Sequence, residues 1–176
     1  MFITIQKMKG GYGMAVKETK LVEGYHEMFG QPLHGDNALF ERLTIQVFQA
    51  GLNWKMVVNK LPILQQAFAN FAIEKVVQFD ENEVQQIMML PGMIHNVKKI
   101  RGTIQNAHAI QQLSQQDEGF EQFLSHYRQH TPLSHEAQLQ IGTEVAKKLH
   151  QRGFTFTGPE TTRVFLASIG TWPLMR

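Results

Sequence analysis

The sequence predicts an all-α protein, and three observations carry that expectation. Apolar residues recur at helical spacing through most of the chain. Glycines, prolines and capping residues fall where those periodic runs begin and end. A Leu90-Pro91-Gly92 junction separates two strongly periodic segments, predicting a helical hairpin. A chain of 176 residues with 43% hydrophobic content can bury one substantial core, or two small lobes sharing a cleft. The expected organisation is an N-terminal arm over residues 1–20 and one helical domain over 21–176, with the hairpin near 80–113.

In the arm, Phe2 to Ile5 could form a short strand, and Gly10, Gly11 and Gly13 punctuate the stretch after it. Tyr25 to Pro32 is read as an irregular segment ending in glycine and proline. The next helix is the one around which the chain is organised. Leu39, Phe40, Leu43, Val47 and Ala50 form its stripe, Asp36 or Asn37 can cap its start, and Gly51 supplies the left-handed residue that stops it. Gln46 lies one turn from both Leu43 and Ala50, so its amide projects beside the apolar stripe and needs partners. On the residues alone, two readings stay open. Gln46 and Trp54 belong either to a packed core or to the edge of a cleft.

Trp54 to Lys60 starts another helical turn, Pro62 suits the first position of a helix through Phe71, and Ile73 to Phe79 makes a further short helix. Asp80-x-x-Glu83 has the form of a capping box ahead of Val84, Ile87 and Met88. After the Leu-Pro-Gly turn, a helix starting near His95 or Asn96 carries Val97, Ile100, Ile104 and Ala107 and runs to about Leu113. The turn amides and that helix's N-terminus can face one phosphate, with Lys98, Lys99 and Arg101 following. A solvated basic face is the alternative reading of those residues. Phe120, Phe123, Leu124 and Tyr127 give a helix ending before Thr131-Pro132, and residues 131–142 read as a linker. Thr143 opens a helix carrying Val145, Ala146 and Leu149 that ends at Arg152-Gly153. Phe154 to Pro159 is an extended turn and Thr161 to Ile169 the last helix.

Composition excludes more than it selects. The net charge is +2, from 17 basic and 15 acidic residues, so the total does not mark a nucleic-acid binder. With no cysteine, disulfides and thiolate metal sites are impossible, which suits a reducing cytoplasm. The N-terminal apolar run is too short for a signal peptide and no segment reads as membrane-spanning, so the chain is expected to be soluble and cytoplasmic. The eight histidines are scattered without metal-ligand spacing. A Gly-x-Ser-x-Gly elbow, a P-loop and a dinucleotide fingerprint are all missing, and no nucleophile nominates itself.

Three separated motifs, YHEMFGQP from Tyr25, FQAGLNW from Phe48 and KKLHQRGFTFTGPETT from Lys147, resemble in order and spacing the 3-methyladenine DNA glycosylase I family of the helix-hairpin-helix superfamily. The resemblance runs from about Gly24 to Gly170. It implies a DNA repair enzyme that flips 3-methyladenine or a related alkylated purine out of damaged double-stranded DNA and hydrolyses its glycosidic bond. It also implies a role for particular residues. Trp54 would stack on the base, Tyr25 would form a second wall contacting it, and Gln46 would hydrogen-bond it. Gly51 and Leu52 would sit at the wedge that fills the vacated duplex space. Gly92, Met93, Lys98 and Lys99 would hold the DNA backbone.

The chain departs from the family at several points. Gln46 stands where the family usually has Glu, Phe29 where a Trp is usual, and the loop after Tyr25 is one residue shorter. The Cys ligands of the family's terminal zinc tether are missing, with only His26 matching a ligand position. No metal, no cofactor and a monomer are therefore expected. The alternative to an active enzyme is a glycosylase-like DNA-binding protein weakened by the loss of the carboxylate at Gln46.

Overall fold

The computed structural model describes residues 19–116 and 118–174. Ten α-helices and one short 3-10 turn follow one another in that span, with no strand among the described residues. The helices are α1 (Lys20–Met28), α2 (Asp36–Gln49), α3 (Trp54–Asn59), α4 (Leu61–Ala67), α5 (Ile73–Val76), α6 (Glu81–Met89), α7 (Val97–Gln115), α8 (Phe120–Ser125), α9 (His135–Gln151) and α10 (Pro159–Ser168). The arm before residue 19, with its proposed strand, lies outside the described residues.

α2 is the axis of the molecule. Its residues from Arg42 to Phe48 are all buried, so the predicted one-sided stripe lies in a stretch of helix enclosed on every side, and of the stripe residues only Ala50, beyond the helix end, is exposed. α3, α5, α7, α8 and α10 all pack against it, and α9 lies against α10. α1 packs on α3, where the Thr19 hydroxyl donates to Asn59 Oδ1.

Neither Asp36 nor Asn37 caps α2. The N-cap is Gly35, without a side-chain bond, and both side chains serve other segments. The Asp36 carboxylate accepts the backbone N–H groups of Phe120 (3.1 Å) and Glu121 (2.8 Å), capping α8 from across the molecule. Asn37 Oδ1 accepts the N–H of Ile73 at 3.1 Å, at the start of α5. Residues that look like a local start signal thus secure two distant helices to the central one.

Other boundaries differ for equally local reasons. Tyr25 is not in an irregular segment: it lies within α1, which Thr19 caps, and the loop begins only at Phe29. The helix from Pro62 stops at Ala67, because Ala69, Asn70 and Phe71 adopt left-handed φ values (49°, 53° and 57°) that turn the chain and bury Phe68 and Phe71. The stretch 131–142 is not a linker throughout. Ser134 caps a helix from His135, Ala137 N–H donating to its Oγ at 3.2 Å, and the first two turns of α9 look like a linker only because their exposed residues are mostly polar. The capping box at Asp80 and Glu83 forms as read, and Asn96 caps α7.

The ends of the domain are closed by hydrogen bonds. Gly30 N–H donates to Ser168 O at 3.1 Å, the Arg42 guanidinium donates to the same carbonyl at 2.9 Å, and Gln129 N–H donates to Thr171 O at 2.7 Å.

Candidate active site

α1, α2 and α3 bring together the residues around a cavity of about 240 Å³ lined by Tyr25, His26, Phe29, Gln49, Trp54 and Val164. Trp54 is the first residue of α3. Asn53 fixes it there by capping that helix, accepting the N–H of Lys55 at 2.9 Å. The Trp54 ring is half-buried, its centroid 6.3 Å from that of Tyr25 and 6.4 Å from that of His26, which stacks on it. Neither reading left open for Trp54 is complete in itself: one face packs on the core while the side chain also walls the cavity.

Behind that wall lies a buried polar network. Gln46 is 3% exposed, and its Nε2 donates to the Tyr25 hydroxyl at 2.8 Å. Its partner is therefore a side chain that lines the cavity rather than nearby backbone. Oε1 has no hydrogen-bond partner among the described residues. Since a tyrosine hydroxyl both donates and accepts, half a turn of the amide would exchange the roles, leaving an N–H rather than a carbonyl unpaired.

Arg42, one turn before Gln46 on α2, completes the network. It is 5% exposed, and its guanidinium carbon lies 4.7 Å from the Tyr25 ring centroid. Burial raises the Tyr25 pKa above the ordinary tyrosine value, while the Arg42 charge and the Gln46 bond pull it down. Glu41, next along α2, is also raised by burial, with Gln65 and Arg42 opposing that shift. Sequence reasoning missed Arg42, although a signal was present: Arg42, Gln46 and Gln49 recur at helical spacing, a polar line running beside the apolar stripe.

The turn after α2 protrudes. Gly51 has φ +79°, a conformation that glycine adopts without a Cβ clash, and the following Leu52 is 39% exposed. Leu52 N–H closes the turn on Gln49 O at 2.7 Å.

At the hairpin, α6 and α7 are joined through Leu90 to Asn96, and Gly92 takes φ +82° at an exposed position. Met93, expected to hold DNA, is buried at 5% exposure and packs in the core. Lys99 also faces inward. Its ammonium donates to Phe48 O (2.9 Å) and Ala50 O (2.7 Å), so it satisfies the C-terminal carbonyls of α2 instead of facing solvent. Desolvation lowers its pKa. Arg101 forms a two-pronged bond to Glu81 (2.6 and 3.2 Å), fastening α7 to α6. Of the predicted basic residues, Lys98 alone is exposed without such a bond. The sequence reading also missed Lys60. A Cβ on Gly92 would lie 3.5 Å from the Lys60 ammonium, so a cation from the α3–α4 junction sits at the turn. No sequence signal places it there, because the proximity is tertiary.

Among the described residues, no group of three or more His, Cys, Asp or Glu side chains could hold a metal ion, and no helix is long and apolar enough to cross a membrane.

Comparison with known proteins adds to this geometry. A family model described as methyladenine glycosylase matches residues 15–173. DNA-3-methyladenine glycosylase 1 of Escherichia coli is 29% identical over 164 residues, spanning 88% of each chain. Among solved structures, a Glu-to-Gln mutant of 3-methyladenine DNA glycosylase I from Staphylococcus aureus aligns with a TM-score of 0.79 at 29% identity, covering 88% of both chains. A Tyr-to-Phe variant of 3-methyladenine DNA glycosylase I, solved in complex with 3-methyladenine, aligns with the same TM-score at 27% identity and the same coverage.

Proposed function

The chain belongs to the methyladenine glycosylase family, and on that premise we propose that it excises 3-methyladenine or a related alkylated purine from damaged double-stranded DNA. The observation that supports this most directly is the Tyr25–Gln46 hydrogen bond behind a cavity walled by Trp54, an aromatic pocket backed by a polar group that can address a base edge. A nucleotide extruded from the duplex enters the cavity and stacks on Trp54. Leu52, on its exposed turn, fills the space left between the base pairs. The amides around Gly92 hold a backbone phosphate, with Lys98 and Lys60 supplying charge, so the duplex is positioned without being read.

A 3-alkylated adenine carries positive charge and leaves as a neutral base, so its departure needs no acid. Holding the base out of the stack while water reaches the sugar carbon is the protein's contribution. The absence of cysteine supports a reducing cytoplasm as the setting, where the protein acts as a monomer.

A second reading is favoured by one observation. Gln46 keeps the length of a glutamate and an acceptor oxygen but no charge, and losing a charge-assisted bond costs about 1–2 kcal/mol of selective binding. The protein would then be a weakened glycosylase or a DNA-binding remnant. Incubation with alkylated duplex DNA, with released bases identified chromatographically, separates the two. Release of a methylated purine above the spontaneous rate supports the enzyme, whereas duplex binding without release of any base supports the remnant.

A further inference from the structure

The polar side chains along α2 differ in what they are free to do. Gln46 is buried behind Tyr25 with its Nε2 on the tyrosine hydroxyl, and it is not among the residues that line the cavity. Arg42 is buried as well, its guanidinium donating to Ser168 O and lying against the Tyr25 ring. Gln49, just under one turn beyond Gln46, ends α2 and is itself part of the cavity wall. Its backbone carbonyl accepts the Leu52 N–H at 2.7 Å, while its half-buried side-chain amide has no hydrogen-bond partner among the described residues. The other polar groups of the wall are less free. The Tyr25 hydroxyl already accepts from Gln46. The His26 ring is stacked on Trp54, and a neutral imidazole holds its donor and its acceptor on different edges. The Trp54 indole only donates. Among the described lining residues, Gln49 alone presents an uncommitted donor and acceptor side by side.

We propose that Gln49 contacts the extruded base directly and recognises the exocyclic amine of an adenine, its Oε1 accepting from the 6-amino group and its Nε2 donating to the neighbouring ring nitrogen. The inference rests on the glycosylase reading of the pocket and deepens it by assigning the residue that identifies the base. A carboxamide matches that edge because adenine offers an amine donor beside a ring-nitrogen acceptor, the pairing by which Asn and Gln read adenine in duplex DNA. Alkylation at N3 leaves this edge open, since N3 lies across the ring system from the amine. Stacking on Trp54 accepts any base with a π-face, so it holds the base without identifying it. Once a base fills the cavity, the Gln49 amide is cut off from water. A base without the amine then leaves Oε1 unpaired, which is the condition under which a polar group discriminates most strongly. Because unalkylated adenine carries the same edge, Gln49 decides which base is held and not whether it is damaged.

The test uses the full chain and two free bases, 3-methyladenine and 3-methylpurine, which lacks only the 6-amino group, with both affinities measured by titration. Wild-type protein is expected to bind 3-methyladenine about tenfold more tightly, the effect of one hydrogen bond in a site closed to water. Gln49→Met keeps the length of the side chain and removes both polar atoms, so it should bring the ratio close to one by weakening 3-methyladenine alone. Gln49→Glu keeps an acceptor for the amine and must retain the preference. A wild-type ratio near one overturns the inference. So does a preference that survives in Gln49→Met, because another group would then meet the amine. Equal weakening of both bases in Gln49→Met assigns the residue to packing, and slower release from alkylated duplex with free-base affinities unchanged assigns it to the duplex; either result overturns the inference. If Gln49→Met does not fold, Gln49→Ala carries the same comparison. A wild-type protein that binds neither base and releases none from alkylated duplex removes the glycosylase reading itself, a result distinguishable from binding both bases without preference.

Discussion

Around the cavity, polar side chains turn inward and bond to one another: Arg42, Gln46 and Tyr25 are all buried, and each is held by at least one of the others. At the hairpin the side chains of Met93 and Lys99 are withdrawn into the structure, and the exposed turn at Gly92 is left to its backbone. The pocket is thus specified by side-chain chemistry and the hairpin by main-chain shape. Substitutions should therefore change what the pocket prefers, but change only how firmly the hairpin region holds DNA or holds the protein together.

The exception that joins the two regions gives the largest expected effect. Lys99 belongs to the hairpin's second helix, yet its ammonium closes the end of α2, directly before the Gly51–Leu52 turn. Lys99→Met removes both charge-assisted bonds and leaves two carbonyls without a partner, at an expected cost of about 2–4 kcal/mol in unfolding free energy. Lys98→Met, one residue away and exposed, should stay within about 0.5 kcal/mol of wild type. Chemical denaturation of the two variants checks this, and equal stabilities would mean that the Lys99 clamp contributes nothing to the fold.

Within the pocket, Trp54 comes next. Trp54→Ala should weaken free-base binding by about 1–3 kcal/mol, and Trp54→Phe by less, because stacking depends on the area of the aromatic face. Titration of 3-methyladenine, read beside a melting curve for each variant, separates stacking from packing. Variants that melt earlier but bind the base as tightly as wild type would place Trp54 in the core alone.

The difference between the regions also explains how much could be read from sequence. The helix around Gln46, its stop at Gly51, the Leu-Pro-Gly hairpin and the capping box at Asp80 were legible, because each depends on residues within one or two turns of each other. Tyr25, Gln46 and Trp54 could be nominated together only through the family resemblance, and the bond joining Tyr25 to Gln46 spans 21 positions that periodicity does not connect. Asp36 shows the limit most plainly. It stands where an N-cap residue is expected, and it does cap a helix, but one that begins 84 residues later. Lys98 and Lys99 are adjacent identical residues, and only the roughly 100° step between neighbours on a helix decides that one faces solvent and the other the end of α2.

A smaller effect is expected from restoring the carboxylate. Gln46→Glu places an acceptor that can ionise on the Tyr25 hydroxyl, beside the buried Arg42 charge, in a site where charge complementarity counts for more than in water. Release of 3-methyladenine should rise about tenfold, corresponding to about 1.4 kcal/mol after the carboxylate has been desolvated. A folded variant no faster than wild type on alkylated duplex would show that the amide does not limit the reaction on a cationic base.

The smallest effects belong to the hairpin, and they test whether it works by shape. If the turn amides at Gly92 hold a phosphate, each nearby cation adds one ionic contact, and removing it should lower the slope of log affinity against log salt by about one. Lys98 is exposed on the first turn of α7, and Lys60 brings its ammonium to the turn, so Lys98→Ala and Lys60→Ala should each lose about that much, equally on every duplex sequence. Arg101 provides the internal control. Its guanidinium is already committed to Glu81, so Arg101→Ala should leave the slope nearer to that of wild type. Gly92→Ala acts differently: its left-handed φ disfavours any Cβ by about 1 kcal/mol and should shift the turn, weakening binding without removing a charge, so affinity falls while the slope holds. A slope unchanged in both lysine variants would take the hairpin out of DNA binding. A slope that falls only with Arg101 would mean that the Glu81 pair opens to release a cation for the duplex, making side-chain charge and not backbone shape the basis of this region's grip.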